Sequence, residues 1–408
     1  MPAAPRAMRF ESLDTLRGFA VLGILMVNVQ YFGLLWPATD FPYMQGDFEA
    51  PANQFAWWFT QTFFELKFIT LFSAMFGAGI CLMLGTGDAA HKRHWRRMLW
   101  LLFFGLIHAY IFWYGDILVP YALAGMVVVT ARRMTTGGLM ALGLGLVAFT
   151  GLLMVGGEAI GALLGGTTTG AEALGFTPER VAELTALYQA GFVDRLPYNM
   201  ATTAIFELVQ LVTFSGRIAG MMLIGMAAFR AGFLTLGWSA KRYGWCAAIC
   251  IPVGVGMSGW QAWYLLANDF STLISWQAAA AQYVGSMILA FGYASLIMLI
   301  CQQVWFRPVT TVLAATGKMA FTNYLSQTLI MTFIFVGFPG LGLFGQVDRS
   351  IMVLMVIGVW ALQLAWSPLW LSHFRFGPME WAWRSLTYGK AQPFFRKSEP
   401  PADQPASG

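Results

Sequence analysis

Ionisable residues are nearly absent from ten long apolar runs, and that scarcity limits the folds open to this chain more than any other feature. The runs lie at about 17–36, 61–84, 97–113, 117–131, 137–157, 205–229, 243–266, 277–301, 313–336 and 351–371. Most approach the roughly 20 apolar residues that a helix needs to cross a hydrocarbon core. Charged residues make up 11% of the chain, against about 25% in soluble domains. In lipid each backbone N–H and C=O must be satisfied within the protein, so a helix is the structure expected of each run. The expected fold class is all-α: a polytopic integral membrane protein of about ten transmembrane helices.

Loop charge sets the expected orientation, because basic loops stay in the cytoplasm. Arg6 and Arg9 precede the first run; Lys92, Arg93, Arg96 and Arg97 follow the second; Arg132 and Arg133 follow the fourth. Arg230, Lys241 and Arg242 follow the sixth, Arg307 the eighth, and Arg375, Arg384, Lys390, Arg396 and Lys397 the last. The first intervening loop holds Asp40, Asp47 and Glu49 with no Lys or Arg. This alternation predicts both termini in the cytoplasm and an uncleaved first span, since no small-x-small cleavage site closes it. The basic excess (net charge +5) then reflects orientation in a lipid bilayer, not nucleic-acid binding.

The expected organisation is an N-terminal four-helix half (1–135), a fifth span with its outer loop (136–204), a C-terminal half (205–390) and a disordered cytoplasmic tail (391–408). Within the outer loop, Thr177, Pro178 and Glu179 make a helix start, with Leu184, Leu187 and Tyr188 on one face. Gly161/Gly165 and Gly216/Gly220 have the small-xxx-small spacing of close helix packing. Cys81, Cys246, Cys250 and Cys301 fall inside apolar runs without metal-ligand spacing, and no metal site is expected. His91 and His94 read as part of a solvated basic loop facing anionic lipid. Lys318/Thr322 and Asn323/Gln327 are i, i+4 pairs that read as an interhelical hydrogen-bond seam. The segment after the last run, with its Trp and Tyr residues and mixed charges, reads as amphipathic.

Ionisable groups inside spans mark substrate or proton pathways. His108 sits within an apolar run, and Asp116 follows where that run breaks. An ideal helix would separate the two by about 12 Å, so contact needs a bend near Gly115. Arg17 and Asn28 lie about 20° apart on a helical wheel, with Asp14 within about 60° of both. Arg17 suits an anionic group such as a phosphate, or a local pair with Asp14. Glu65 and Lys67 point to opposite helix faces and need other partners. With Glu207, Arg217, His108 and Asp116 they suggest one hydrated cavity reaching in from the outer side.

LDTLRGFAVLGILMVN (13–28), FITLFSAMFGAGI (68–80), GLIHAYIFWYGDILVPYALAG (105–125), GKMAFTNYLSQTLI (317–330) and FGPMEWAWRSLTY (376–388) together resemble the YeiB-like bacterial inner-membrane proteins. The resemblance implies a multi-pass protein of the bacterial inner membrane. The opening D-x-x-R-G, carried by Asp14, Arg17 and Gly18, and then Asn28 are similar to heparan-glucosaminide N-acetyltransferase-like proteins. Those pass an acetyl group from cytoplasmic acetyl-CoA to a sugar across the membrane. Their catalytic His, shortly after that Asn, has no counterpart here, because residues 29–50 contain no histidine.

Two functions are therefore expected in competition. In a membrane acyltransferase, His108 is the general base oriented by Asp116, and Asn28 holds the reacting carbonyl. Arg17 with Asp14 meets the acyl-CoA co-substrate, and an envelope glycan or lipid-linked acceptor comes from outside. In a proton-coupled transporter, His108, Asp116, Glu65 and Glu207 carry protons or solute. A non-catalytic membrane scaffold is the third reading. Cysteine-accessibility labelling checks the topology: a cysteine at Asp47 reacts with an impermeant reagent added outside intact cells, and one at Arg97 does not.

Overall fold

The computed structural model describes residues 11–83, 88–164 and 170–396. Arg6, Arg9, Gly165 and Lys397, and the rest of the tail after 397, lie outside the described residues. Along the chain run α1 (Glu11–Gly33), α2 (Pro51–Phe63), α3 (Lys67–Met83), α4 (Asp88–Ile107), α5 (Leu118–Val128), α6 (Thr136–Leu164), α7 (Gly170–Ala173) and α8 (Pro178–Ala190). They are followed by α9 (Leu196–Thr213), α10 (Ser215–Arg230), α11 (Ala240–Ala267), α12 (Ser275–Cys301), α13 (Arg307–Lys318), α14 (Ala320–Phe335), α15 (Arg349–His373) and α16 (Pro378–Tyr388). The described residues contain no strand, only the isolated bridges Gly191–Phe338 and Phe374–Phe395. The all-α expectation holds.

Where the sequence predicts ten crossings, the described residues hold five spans long and apolar enough to cross a membrane, one of them α2 and α3 together, or six if the bent pair α9–α10 counts as one span. Of the remaining predicted runs, 243–266 lies in the long but less apolar α11, and the others are helical but short, charged or interrupted. At 11 residues, α5 is about 16 Å long. The basic segment 92–97 occupies the first half of α4, and Met319 separates α13 from α14.

The position of α1 organises the bundle. It is apolar nearly all round, as expected of a helix with no solvent face, and Leu16, Leu25 and Met26 are fully buried. It packs against α3, α12, α13, α14 and α15, so helices from both ends of the sequence enclose it. Close approach depends on glycine. A methyl at Gly18 would overlap the Leu313 carbonyl, and one at Gly317 would overlap the Asp14 carbonyl. On the other side, Gly77 abuts the Met222 carbonyl and Gly225 the Ala74 carbonyl. Gly216 and Gly220 pack against α6 as their spacing predicts, but Gly161 meets nothing within 4 Å.

The outer-loop helix forms where expected: Thr177 caps α8 by accepting from the Arg180 N–H at 3.4 Å. Leu184 and Tyr188 are buried, and Tyr188 stacks on Phe344 at 4.1 Å. Arg349 is 3% exposed and donates to the carbonyls of Ala38, Pro42 and Gln45, which fixes the 34–50 loop. One sequence reading is corrected: His94 is buried, not solvated, and its Nε2 meets the Gly125 carbonyl at 3.0 Å. Of the tail from 391, Phe394 and Phe395 pack on Phe374, with Phe394 also against Trp381.

Overpacking at such crossings costs about 1–3 kcal/mol. Gly18→Ala and Gly225→Ala should each lower the melting temperature of the detergent-solubilised protein. Gly161→Ala should leave it unchanged or raise it, since a helical Gly-to-Ala change is worth roughly 0.5–1 kcal/mol.

Candidate functional site

His108 owes its position to a change of helix type. After Ile107 the backbone winds as a π-turn over His108–Phe112, closed by the Trp113 N–H to the His108 carbonyl at 2.9 Å. The chain is then extended at Trp113 and bends at Tyr114 and Ile117 before re-entering helix at Leu118. The break thus starts well before Gly115. A π-turn leaves neighbouring carbonyls without their ordinary donors, and each orphan in an apolar interior costs several kcal/mol. Three residues of the α9 segment supply the donors. Asn199 Nδ2 donates to the carbonyls of Ala109 and Tyr110, Thr203 to Ala109, and Arg195 to Phe112.

The turn brings His108 and Asp116 together, with Nδ1 2.6 Å from Oδ1. The other carboxylate oxygen accepts the Val119 N–H at 2.7 Å and so starts α5. Nε2 lies 2.9 Å from Thr328 Oγ1. The result is a hydroxyl–imidazole–carboxylate relay, with its members 1%, 3% and 1% exposed for Thr328, His108 and Asp116. The relay does not line an outward-open cavity, which corrects that expectation. Glu207 on α9 is half-buried and within Coulombic range of Asp116.

The other ionisable groups gather separately. Leu66, in the left-handed region at φ 65°, breaks the chain between α2 and α3. The break places Glu65 and Lys67 within Coulombic range of each other, where a continuous helix would hold them apart. The Lys67 ammonium is fully buried and donates to the Gln61 carbonyl at 2.6 Å and to Gln282 Oε1 at 3.3 Å. Arg217 is 1% exposed and donates through one terminal nitrogen to Thr70 at 2.9 Å and Ser286 at 2.8 Å. The single shared cavity predicted from sequence is therefore two buried constellations.

The described pocket, about 270 Å³, lies at the end of the bundle where α1 begins. Arg17, Arg97, Lys318 and Arg384 line it with one carboxylate, Glu380. Its shaft is apolar, with Val21, Ile24, Phe72 and Met75 among its walls, and Tyr121 and Tyr324 also border it. Arg17 pairs with Asp14 at 2.8 Å and still keeps 28% of its side chain exposed. Asn28 is half-buried on α1 and continues the stripe of Arg17, Val21 and Ile24 one turn further. The Tyr324 ring lies 5.2 Å from the His108 ring, and the Tyr121 hydroxyl meets Ser73 of α3 at 2.8 Å. The pocket thus touches neither constellation directly: one of its tyrosines neighbours His108 and the other is bonded to α3.

The amphipathic segment forms a wall of this pocket. Arg97 stacks on Trp383 at 4.2 Å, and the Trp383 indole donates back to the Arg97 carbonyl. Glu380 accepts from the Phe321 and Thr322 N–H groups and the Thr322 hydroxyl, which caps α14. Burial pushes its carboxyl above the ordinary range, and those hydrogen bonds oppose the shift. Asn323 and Gln327 do form an interhelical seam, with Ser367 and Gln363 of α15. Sequence reasoning missed Thr328, Tyr324, Tyr121, Arg195, Asn199 and Thr203. The four-residue spacing of the last three was a visible signal; nothing in the sequence tied Thr328 to His108.

These features define an all-helical membrane protein with paired titratable groups buried in its interior. Residues 228–390 match the family described as "Protein of unknown function (DUF418)". The "Uncharacterized protein YeiB" of Escherichia coli (strain K12) is 33% identical over 96% of this chain and 99% of its own length. The "Uncharacterized protein YxaH" of Bacillus subtilis (strain 168) is 31% identical over 96% and 97%. The chain belongs to the YeiB-like family.

Removing one partner of a buried hydrogen-bonded pair leaves the other unsatisfied, at a cost of about 1–3 kcal/mol and more for a charged group. Asp116→Ala should therefore destabilise the protein strongly, and the double change His108→Leu with Asp116→Leu should cost less than the sum of its parts. Thermal unfolding in detergent, followed by tryptophan fluorescence, measures both.

Proposed function

We propose that this protein is a membrane acyltransferase that takes an acyl group from acyl-CoA, acetyl-CoA included, and delivers it to a hydroxyl or amine of a cell-envelope glycan or lipid-linked acceptor. The observation that carries this reading is the polarity of the pocket: four cations, an apolar shaft, and a tyrosine in contact with the imidazole. Guanidinium groups suit the phosphates of CoA, and the shaft suits its pantetheine arm and acyl chain. In this reading ten crossings with both termini in the cytoplasm put the mouth of the pocket on the cytoplasmic face of the bacterial inner membrane.

His108 acts as the general base at Nε2, held in its tautomer by Asp116 and positioned by Thr328. As the acceptor oxygen or nitrogen attacks the thioester carbonyl, its proton passes to the imidazole. The carbon–sulfur bond then breaks, and the CoA thiolate leaves with that proton. Asn28, next on the stripe past Ile24, hydrogen-bonds the reacting carbonyl. One observation favours solute transport as a second reading: two spans break next to buried cations, a feature of many transporters.

Acyl-CoA should raise the melting temperature of the detergent-solubilised protein, and labelled acyl-CoA with envelope extract should release CoA. Arg17→Lys keeps the charge but loses the fork, so the stabilisation should fall while the protein still inserts. No stabilisation by any acyl-CoA, with strong coupling between Asp14 and Arg17, would make the pair structural and end the acyltransferase reading.

A further inference from the structure

Two broken spans meet in space, and both restart beside each other. α3 begins at Lys67 after the left-handed Leu66, and α10 begins at Ser215 after a 56° bend. The two helices run parallel, because Thr70 meets Arg217 while Gly77 meets Met222 and Ala74 meets Gly225. Their N-terminal ends therefore lie side by side, each the positive end of a helix dipole, a partial charge of roughly +0.5. An acidic residue normally offsets that charge. Here each first turn holds a buried cation instead, Lys67 and Arg217.

Arg217 is also incompletely partnered. The Thr70 hydroxyl donates its proton to the Leu66 carbonyl and Ser286 donates to the Tyr283 carbonyl, so both accept from one Arg217 nitrogen. The Tyr283 ring covers the guanidinium at 4.4 Å. Nε and the second terminal nitrogen, both buried, make no hydrogen bond of good geometry, and the Tyr283 side chain is the group that comes nearest to serving them. Glu65 is the carboxylate acting on both cations, whereas Asp40 acts on Glu65 and on neither of them. Two basic side chains and two helix starts thus face one acidic side chain, Glu65. The chain around both breaks, at Phe63–Leu66 and Thr213–Gly216, is only half-buried.

We propose that the paired helix starts form a binding site for a small anion, a carboxylate or phosphate group held by Arg217 and Lys67. The site is separate from the acyl-CoA pocket, with Tyr121 between them, and does not depend on acyl transfer. It would hold the anionic group of an acceptor or of a transported solute, since the binding chemistry is the same. A purely structural Arg217 would leave two buried donors unused at a cost in stability.

The test uses full-length protein in detergent. Inorganic phosphate and succinate are titrated separately against sodium chloride of matched ionic strength, with thermal unfolding as the readout. At least one should stabilise the wild type beyond chloride; phosphate alone points to a phosphate ester, succinate alone to a carboxylate. Arg217→Gln and Lys67→Gln should each weaken that effect by about tenfold or more, the worth of a charged hydrogen bond. Arg17→Lys should leave it intact. Should Arg217→Gln fail to fold, Lys67→Gln and Ser286→Ala carry the comparison. The proposal is overturned if neither anion exceeds chloride, if the effect survives both substitutions, or if only Arg17→Lys abolishes it.

Discussion

A backbone amide or carbonyl inside an apolar bundle has no water to turn to, so each interruption of a helix must be answered by a polar side chain from elsewhere. The architecture around the candidate site follows from that requirement. The π-turn at His108–Phe112 stands because Arg195, Asn199 and Thr203 reach its carbonyls. The break between α2 and α3 stands because Lys67 and Gln282 both donate to the Gln61 carbonyl. The 34–50 loop stands because Arg349 gathers three of its carbonyls. Polar residues are concentrated at the interruptions, and the interruptions are where chemistry can occur.

The same requirement explains why the ionisable groups divide. A buried charge needs an opposite charge or several donors at short range, and it cannot share one distant partner with many others. His108 and Asp116 satisfy each other and a hydroxyl. Lys67 and Arg217 are served by carbonyl, amide and hydroxyl groups on α2, α3 and α12. Between the groups, Tyr324 and Tyr121 border the pocket, one beside the imidazole and the other bonded to α3. A ligand seated there would contact either constellation only through an aromatic ring or after that ring moved.

Much of this was open to a reader of the sequence. Apolar runs predicted an all-helical bundle, Thr177 and Pro178 marked α8, and the spacing of Gly216 and Gly220 predicted a close crossing. The His108–Asp116 pair was legible because two ionisable residues flank one break in an apolar run. Gly161 shows the limit of such patterns: its spacing is right, but α6 meets no neighbour there. His94 shows another, since a histidine in a basic stretch reads as solvated until the Gly125 carbonyl is found beside it.

Local chemistry is written in the order of residues, so the sequence alone determined the helical class, the caps, the basic and acidic loops and the family. Contacts between residues far apart in the chain were decided only by the tertiary structure. His108 and Thr328 are separated by 220 positions, and Arg217 and Thr70 by 147. Glu65 and Lys67 are neighbours in sequence, yet their relation was also a tertiary outcome. An unbroken helix sends them to opposite faces, whereas the break at the left-handed Leu66 takes them out of that regular arrangement. Periodicity assumes a regular backbone, and it fails where the fold bends that backbone to build a site.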